Sequence, residues 1–189
     1  MGVAGLLLAA GGGRRMGRPK ALVTRRDGVP LLERGLQVLR EAGCDPVVAV
    51  LGASADQARA HAGSADLVVE APDWADGQSA SLRAGLTALD ATSSYAACLL
   101  LVDLTDVGPD AVGRVLRAAG EGPDVLARAA YEGTPGHPVV ICRAHWPGVL
   151  AGLHGDRGAR DYLAAHPHLL VECGDLATGE DVDTPADLG

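Results

Sequence analysis

Val3-Ala4-Gly5-Leu6-Leu7-Leu8-Ala9-Ala10-Gly11-Gly12-Gly13-Arg14-Arg15-Met16-Gly17-Arg18-Pro19-Lys20 is the stretch that decides the fold. Val3 to Ala9 is a short, unbroken apolar run that stops at three glycines. It predicts a buried strand running into a loop. Consecutive glycines let backbone N–H groups approach phosphate oxygens without a Cβ in the way. Arg15 can fork onto a phosphate, and Lys20 can act as a point charge. Two familiar phosphate loops do not fit. Counting from Gly12 reaches Gly17, but Arg18-Pro19 stands where a P-loop requires Lys-Ser/Thr. Counting from Gly11 puts Met16 at the third glycine of the dinucleotide fingerprint. Lys20 is the one lysine among 16 basic residues. A compact, strongly hydrated ammonium concentrates charge where a planar guanidinium spreads it.

Downstream, strands alternate with helices. Helical spacing covers Leu31 to Ala42, closed by Gly43, then Ala55 to Ala62, Ser81 to Leu89, Asp110 to Ala119 and Ala159 to Ala165. Apolar runs at 47–51, 67–69, 96–102, 125–127, 138–142 and 169–172 predict further strands. Thr184 is placed to cap a short terminal helix with Pro185 at its first position. The runs lack polar alternation, which predicts an α/β fold with a mostly parallel sheet covered on both faces. Such sheets hold ligands at the carboxyl ends of their strands. Two of those ends carry polar chemistry here: the loop after Ala9, and Asp103 after Val102.

The bulk numbers bound the partners. In 189 residues, 48% are hydrophobic and 21% charged, and the formal net charge is -8. That balance argues against a nucleic-acid or anionic-membrane surface. Yet Arg14, Arg15, Arg18, Lys20, Arg25 and Arg26 cluster within 13 positions, which suits either a small anionic ligand or a solvated loop. The four cysteines are widely spaced and read as buried thiols, and the scattered histidines give no zinc pattern. No apolar run reaches the ~20 residues of a membrane span, and the arginines follow the apolar start, the wrong order for a signal peptide. A cytoplasmic protein is expected.

Leu8-Ala9-Ala10-Gly11, Arg15-Met16-Gly17 and Pro19-Lys20 together resemble the MobA-like nucleotidyltransferases, above all the molybdenum-cofactor cytidylyltransferases. The likeness continues at Gly77-Gln78-Ser79-Ala80-Ser81-Leu82, Gly136-His137-Pro138-Val139, Gly155-Asp156-Arg157-Gly158-Ala159-Arg160 and Asp181-Val182-Asp183-Thr184-Pro185. The resemblance implies one Rossmann-like nucleotidyltransferase domain over residues 1–189. It implies that Leu8, Ala9, Ala10, Gly11, Gly12, Gly13, Arg15 and Lys20 bind a nucleoside triphosphate, with Ser79 and Ser81 at the base and ribose. Asp103 becomes the Mg²⁺ ligand, joined by Asp183, with Asp181 in reserve; Arg15, Lys20 and Asp103 carry catalysis. His137, Asp156 and Arg160 face the acceptor. The implied reaction moves CMP from CTP to a phosphorylated acceptor of the molybdopterin type, releasing pyrophosphate, with a molybdenum hydroxylase as eventual partner. Ala10 favours CTP, because guanylyl-transferring relatives tend to carry glycine there.

One block departs from the family. Asp-x-Pro is usual, but here Thr105 follows Asp103-Leu104, and Asp106 adds a charge that is a second candidate for the metal. Plainer roles stand beside these: Asp103 as a cap or turn residue, Ser79 and Ser81 as helix caps, His137 as a structural histidine, Asp156 and Arg160 as a pair across a turn. The competing activities are transfer to a sugar 1-phosphate and nucleotide binding by an accessory protein without transfer.

Overall fold

In a computed structural model that describes residues 2–188, the apolar runs assemble into one seven-stranded sheet. The strands are β1 (Val3–Ala9), β2 (Val47–Leu51), β3 (Leu67–Glu70), β4 (Ala96–Leu101), β5 (Leu126–Tyr131), β6 (Thr134–Cys142) and β7 (Leu169–Glu172). Their order is β3-β2-β1-β4-β6-β5-β7. All run parallel except β6, which is antiparallel to both neighbours. The helices are α1 (Leu31–Glu41), α2 (Ala55–Ala58), α3 (Gln78–Leu89), α4 (Pro109–Ala119), α5 (Trp146–Gly152) and α6 (Arg160–Ala165).

Strand alternation divides the core between two faces. Leu7 and Ala9 of β1 pack with Leu32 and Leu36 of α1 and Val112 of α4. Leu6 and Leu8 point the other way, toward Leu82 and Leu86 of α3, Val149 of α5 and Leu163 of α6. With no phenylalanine to fill space, close backbone approach closes the gap. A Cβ on Gly85 of α3 would stand 2.7 Å from both Leu6 methyls. Gly85→Val is therefore expected to lower Tm by roughly 4–8 °C, about 2 kcal/mol of overpacking. A thermal melt within a degree of wild type would show that α3 moves aside freely.

The structure differs from the sequence pattern where residues of poor propensity are held by packing. The helix expected over 55–62 is α-helical only to Ala58 and then tightens to a 3-10 turn, Arg59–His61. α5 was not expected, since Pro147, Gly148 and Gly152 are weak formers. It is anchored by Trp146, which is buried and donates its indole N–H to the Ile141 carbonyl at 3.0 Å. The terminal turn Pro185–Leu188 is capped in reverse: Asp187 accepts from the Thr184 N–H and hydroxyl, both at 2.8 Å. Among the described residues, no helix is long and apolar enough to cross a membrane.

Candidate active site

β1 and β4 are neighbours in parallel register, with Leu8 opposite Leu101, so the loops leaving their carboxyl ends lie side by side. The Val102 N–H still reaches the Leu8 carbonyl at 3.2 Å. β6 pairs with β4 only between Ala96 and Leu99, then parts from it. On its other side, three residues of β6 (136–138) face the single Ala129 of β5. This irregularity, of the kind proteins use to re-aim side chains, sets His137 at the same edge as Asp103. The parting opens a cleft of about 790 Å³, at the upper end of ordinary ligand sites. Its floor is Leu8, Leu99 and Val139; its mouth carries the glycine loop, Lys20, Asp103 and Asp183.

The glycine loop has two kinds of glycine. Gly13 sits at φ +58°, and a Cβ there would run into the Arg18 carbonyl, so it is needed to fold the loop back upon residues 18–20. A Cβ on Gly11 would meet nothing within 4 Å, so its backbone faces open cleft. The tight return at Gly13 brings Lys20 to the polar centre. Its ammonium donates to Asp103 Oδ2 at 2.8 Å and Asp183 Oδ1 at 2.9 Å. Arg15 Nη1 lies 2.7 Å from the other Asp183 oxygen. Asp183 reaches this point because the chain after β7 returns along β4, with the Val182 N–H donating to the Asp103 carbonyl at 3.0 Å.

Charge follows geometry. Burial works against the Lys20 ammonium, but the hydrogen bonds and charges of Asp103 and Asp183 outweigh it and hold its pKa above the usual lysine value. The Lys20 hydrogen bond, helped by the charges of Lys20 and Arg15, holds Asp183 below the usual carboxylate range. Asp181 also lines the cleft; burial, then the charge of Asp103, pushes its carboxyl up. His137 is held at about 4 by burial and by the guanidiniums of Arg128 and Arg160, so its ring is neutral near pH 7.

Not every expected residue reaches the cleft. Leu8, Ala10, Gly11, Gly12, Gly13, Arg15, Lys20, Ser81, Asp103, His137, Asp156, Arg160 and Asp183 line it. Ala9 does not, because strand alternation turns it to the α1 and α4 face. Ser79 does not either: its hydroxyl donates to the His154 carbonyl at 3.0 Å and accepts from the Gly158 N–H, tying α3 to the 154–158 loop. Ser79 and Ser81 are no N-caps, since Gly77 starts α3. Asp156 and Arg160 do not pair with each other. Asp156 accepts from the Gln78 N–H at 3.3 Å, and Arg157 pairs instead with Asp161.

Asp106 also has a structural post. Its Oδ2 accepts from the Thr178 N–H and hydroxyl and from the Gly179 N–H, pinning the segment that leads to Asp181 and Asp183. The Thr105 carbonyl is meanwhile held by Arg34 at 3.1 Å. Asp106→Asn is expected to cost about 1 kcal/mol through the 178–179 hydrogen bonds and to leave the cleft's charge intact. A thermal melt and a metal titration check this; metal affinity lost without stability lost would return Asp106 to the site.

Arg128 and Trp74 are cleft residues that the sequence reading did not single out. Arg128 lines the cleft from β5, where its Nε and Nη2 donate to the Gly136 carbonyl at 3.2 Å. The signal was there: a lone charge inside Leu126-Ala127-Arg128-Ala129-Ala130, which instead cut the expected strand short at 127. Trp74 lies against the glycine loop so closely that a Cβ on Gly12 would stand 3.1 Å from its ring. Only the rarity of tryptophan in the chain marked it.

The oxygen set suits a hard divalent cation. Asp103 and Asp183 face one point, and Asp103 Oδ1 is a buried acceptor with no hydrogen-bond partner. Two carboxylates do not complete a site by themselves: among the described residues, no group of three or more His, Cys, Asp or Glu side chains is arranged around a metal position. Phosphate oxygens would supply the remainder.

Residues 5–169 match the model of the MobA-like NTP transferase domain, and the chain belongs to that family. It is 40% identical to nicotine blue oxidoreductase of Paenarthrobacter nicotinovorans over 96% of this chain and 92% of that one. It is 36% identical to a probable molybdenum cofactor guanylyltransferase of Opitutus terrae, over 68% of this chain and 61% of that one. The crystal structure of Rv0371c from Mycobacterium tuberculosis superposes with a TM-score of 0.79 at 31% identity, covering 99% of this chain and 95% of that one. The same mycobacterial protein has been solved in complex with manganese, with a TM-score of 0.75 at 31% identity, covering 99% of this chain and 96% of that one.

Proposed function

We propose that the protein transfers CMP from CTP to the phosphate of a molybdopterin-type acceptor and releases pyrophosphate. One observation carries this reading: the glycine loop, Lys20, Arg15 and the Asp103/Asp183 pair converge at the mouth of a cleft of about 790 Å³. An oxygen of the acceptor phosphate attacks the α-phosphorus; the new P–O bond forms as the bond to the β-phosphate oxygen breaks, and the electron pair leaves with pyrophosphate. An acceptor phosphate is already ionised near pH 7, so no general base is required. Asp103 and Asp183 hold Mg²⁺, which neutralises phosphate charge when bound. The loop N–H groups of residues 11–13 and the cations of Arg15 and Lys20 fix the triphosphate and stabilise charge as it shifts to the leaving group. Arg128 and Arg160 orient the acceptor beside the neutral His137. On this reading the protein works in the cytoplasm, with a molybdenum hydroxylase as recipient of the product.

CTP is favoured over GTP on the resemblance at Ala10, where guanylyl-transferring relatives tend to carry glycine; Ala10 lines the cleft. Pyrophosphate release is measured with each of the four triphosphates, Mg²⁺ and molybdopterin. Acceptor-dependent release with CTP in excess supports the reading; equal turnover of CTP and GTP, or preference for GTP, removes the base assignment. A second reading follows from the 40% identity to nicotine blue oxidoreductase over almost the whole chain: the cleft would take a redox substrate in place of a triphosphate. Conversion of nicotine blue, with no pyrophosphate from any triphosphate, would select it.

A further inference from the structure

The polar centre of the cleft holds its own cation. Lys20 Nζ stands 2.8 Å from Asp103 and 2.9 Å from Asp183, between the two carboxylates that a divalent ion would need. Arg15 Nη1 occupies the outer Asp183 oxygen at 2.7 Å. The lysine side chain is 14% exposed and the Asp103 side chain 19%, so the contact is shielded from solvent screening. Positive charge within a few ångströms repels a divalent ion while the lysine stays. The lysine is nonetheless tethered beside an alternative anion site. Its residue begins the 3-10 turn Lys20–Leu22, which lies against the Gly13 return. A triphosphate on the 11–13 loop would therefore lie within reach of its four-carbon stem.

We propose that Lys20 is an intramolecular stand-in for the divalent cation. In the nucleotide-free protein it neutralises and positions Asp103 and Asp183. When a triphosphate settles on the loop, the ammonium moves to phosphate oxygens and frees both carboxylates. The metal thus enters with the nucleotide, because only then are the carboxylates open and the missing oxygen ligands present. The placement of Lys20 as the chain's sole lysine fits this role: a slim ammonium on a flexible stem can leave a carboxylate pair more readily than a forked guanidinium, which binds carboxylates in bidentate fashion. This inference rests on the cleft binding a nucleotide, but its first arm needs none.

The test is Mn²⁺ binding to the whole protein, read by loss of the free-ion EPR signal. Wild type alone is expected to bind Mn²⁺ weakly, and at least ~10-fold more tightly with CTP or GTP present. Lys20→Met is expected to bind Mn²⁺ without nucleotide at least ~10-fold more tightly than wild type, and Lys20→Met/Asp103→Asn to lose that gain. Lys20→Arg keeps the positive charge and is expected to stay weak. A thermal melt with and without Mn²⁺ verifies that each variant is folded; should Lys20→Met fail to fold, Lys20→Gln takes its place. The proposal is overturned if wild type that binds the triphosphate holds Mn²⁺ no more tightly than wild type alone, or if the folded neutral variant shows no gain. A gain in the neutral variant, with no triphosphate bound by wild type, would uphold the carboxylate plug and remove the nucleotidyltransferase reading instead.

Discussion

Asp103→Asn is expected to lower nucleotidyl transfer by at least ~100-fold, about 2.7 kcal/mol of transition-state stabilisation. Asparagine keeps the outline of the side chain but removes one of two charges from a hard-cation site. The same change removes one of two counter-charges from Lys20, whose ammonium then keeps Asp183 alone. Stability should fall modestly, by roughly 1 kcal/mol or 2–4 °C, because Lys20 keeps one of its two carboxylates. A cap or turn role predicts the reverse balance, with stability lost and activity kept. Among the described residues, the Asp103 carboxylate hydrogen-bonds only with Lys20, so no cap is there to lose. Steady-state transfer and a thermal melt on the one variant separate the two; a folded Asp103→Asn protein with wild-type turnover would move the metal elsewhere.

Gly11→Val is expected to weaken triphosphate binding by at least ~100-fold, about 2.7 kcal/mol, while Tm stays within a degree or two. The Cβ added at Gly11 has no protein atom within 4 Å, so the side chain begins in the open cleft that the backbone faces. Gly11 has no positive φ, so a branched residue adds no backbone strain. Gly13 would make a poor test, because any Cβ there strikes the Arg18 carbonyl and distorts the loop itself. Calorimetric titration of CTP in Mg²⁺ reads the result. Normal affinity in the folded variant would take the nucleotide away from this loop.

The fold was legible where an unbroken apolar run marks a strand. Val3–Ala9, Val47–Leu51 and Leu169–Glu172 have the bounds their apolar runs predict. It failed at the β5–β6 hairpin, for a physical reason. The strands there carry Arg128, Pro135, Gly136 and Pro138 because they build the site's wall, and local preference was given up to do so. A two-residue shift in register between Arg128 and Ala130 absorbs the misfit and aims His137 and the Gly136 carbonyl. No periodicity could reveal it.

The candidate site was legible in its separate pieces. Asp103 and Asp183 lie 80 positions apart in the sequence, and only the return of the chain along β4 brings both to Lys20. What was hidden is which polar residues the fold spends on itself. Ser79 and Asp106 look like ligands on a line of text, yet each is engaged with backbone N–H groups of a distant loop. Hydroxyls and carboxylates serve both purposes, and the choice depends on partners that sequence spacing does not supply.

Movement of the α-phosphoryl group of a triphosphate in this cleft is the step on which the proposed function stands. It is followed with CTP labelled in its α-phosphate, incubated with the protein, Mg²⁺ and molybdopterin. Label is expected in the dinucleotide product, with unlabelled pyrophosphate released in equal amount, and neither in the absence of acceptor. Label remaining in CTP, with the same outcome for α-labelled GTP, ATP and UTP, would contradict it.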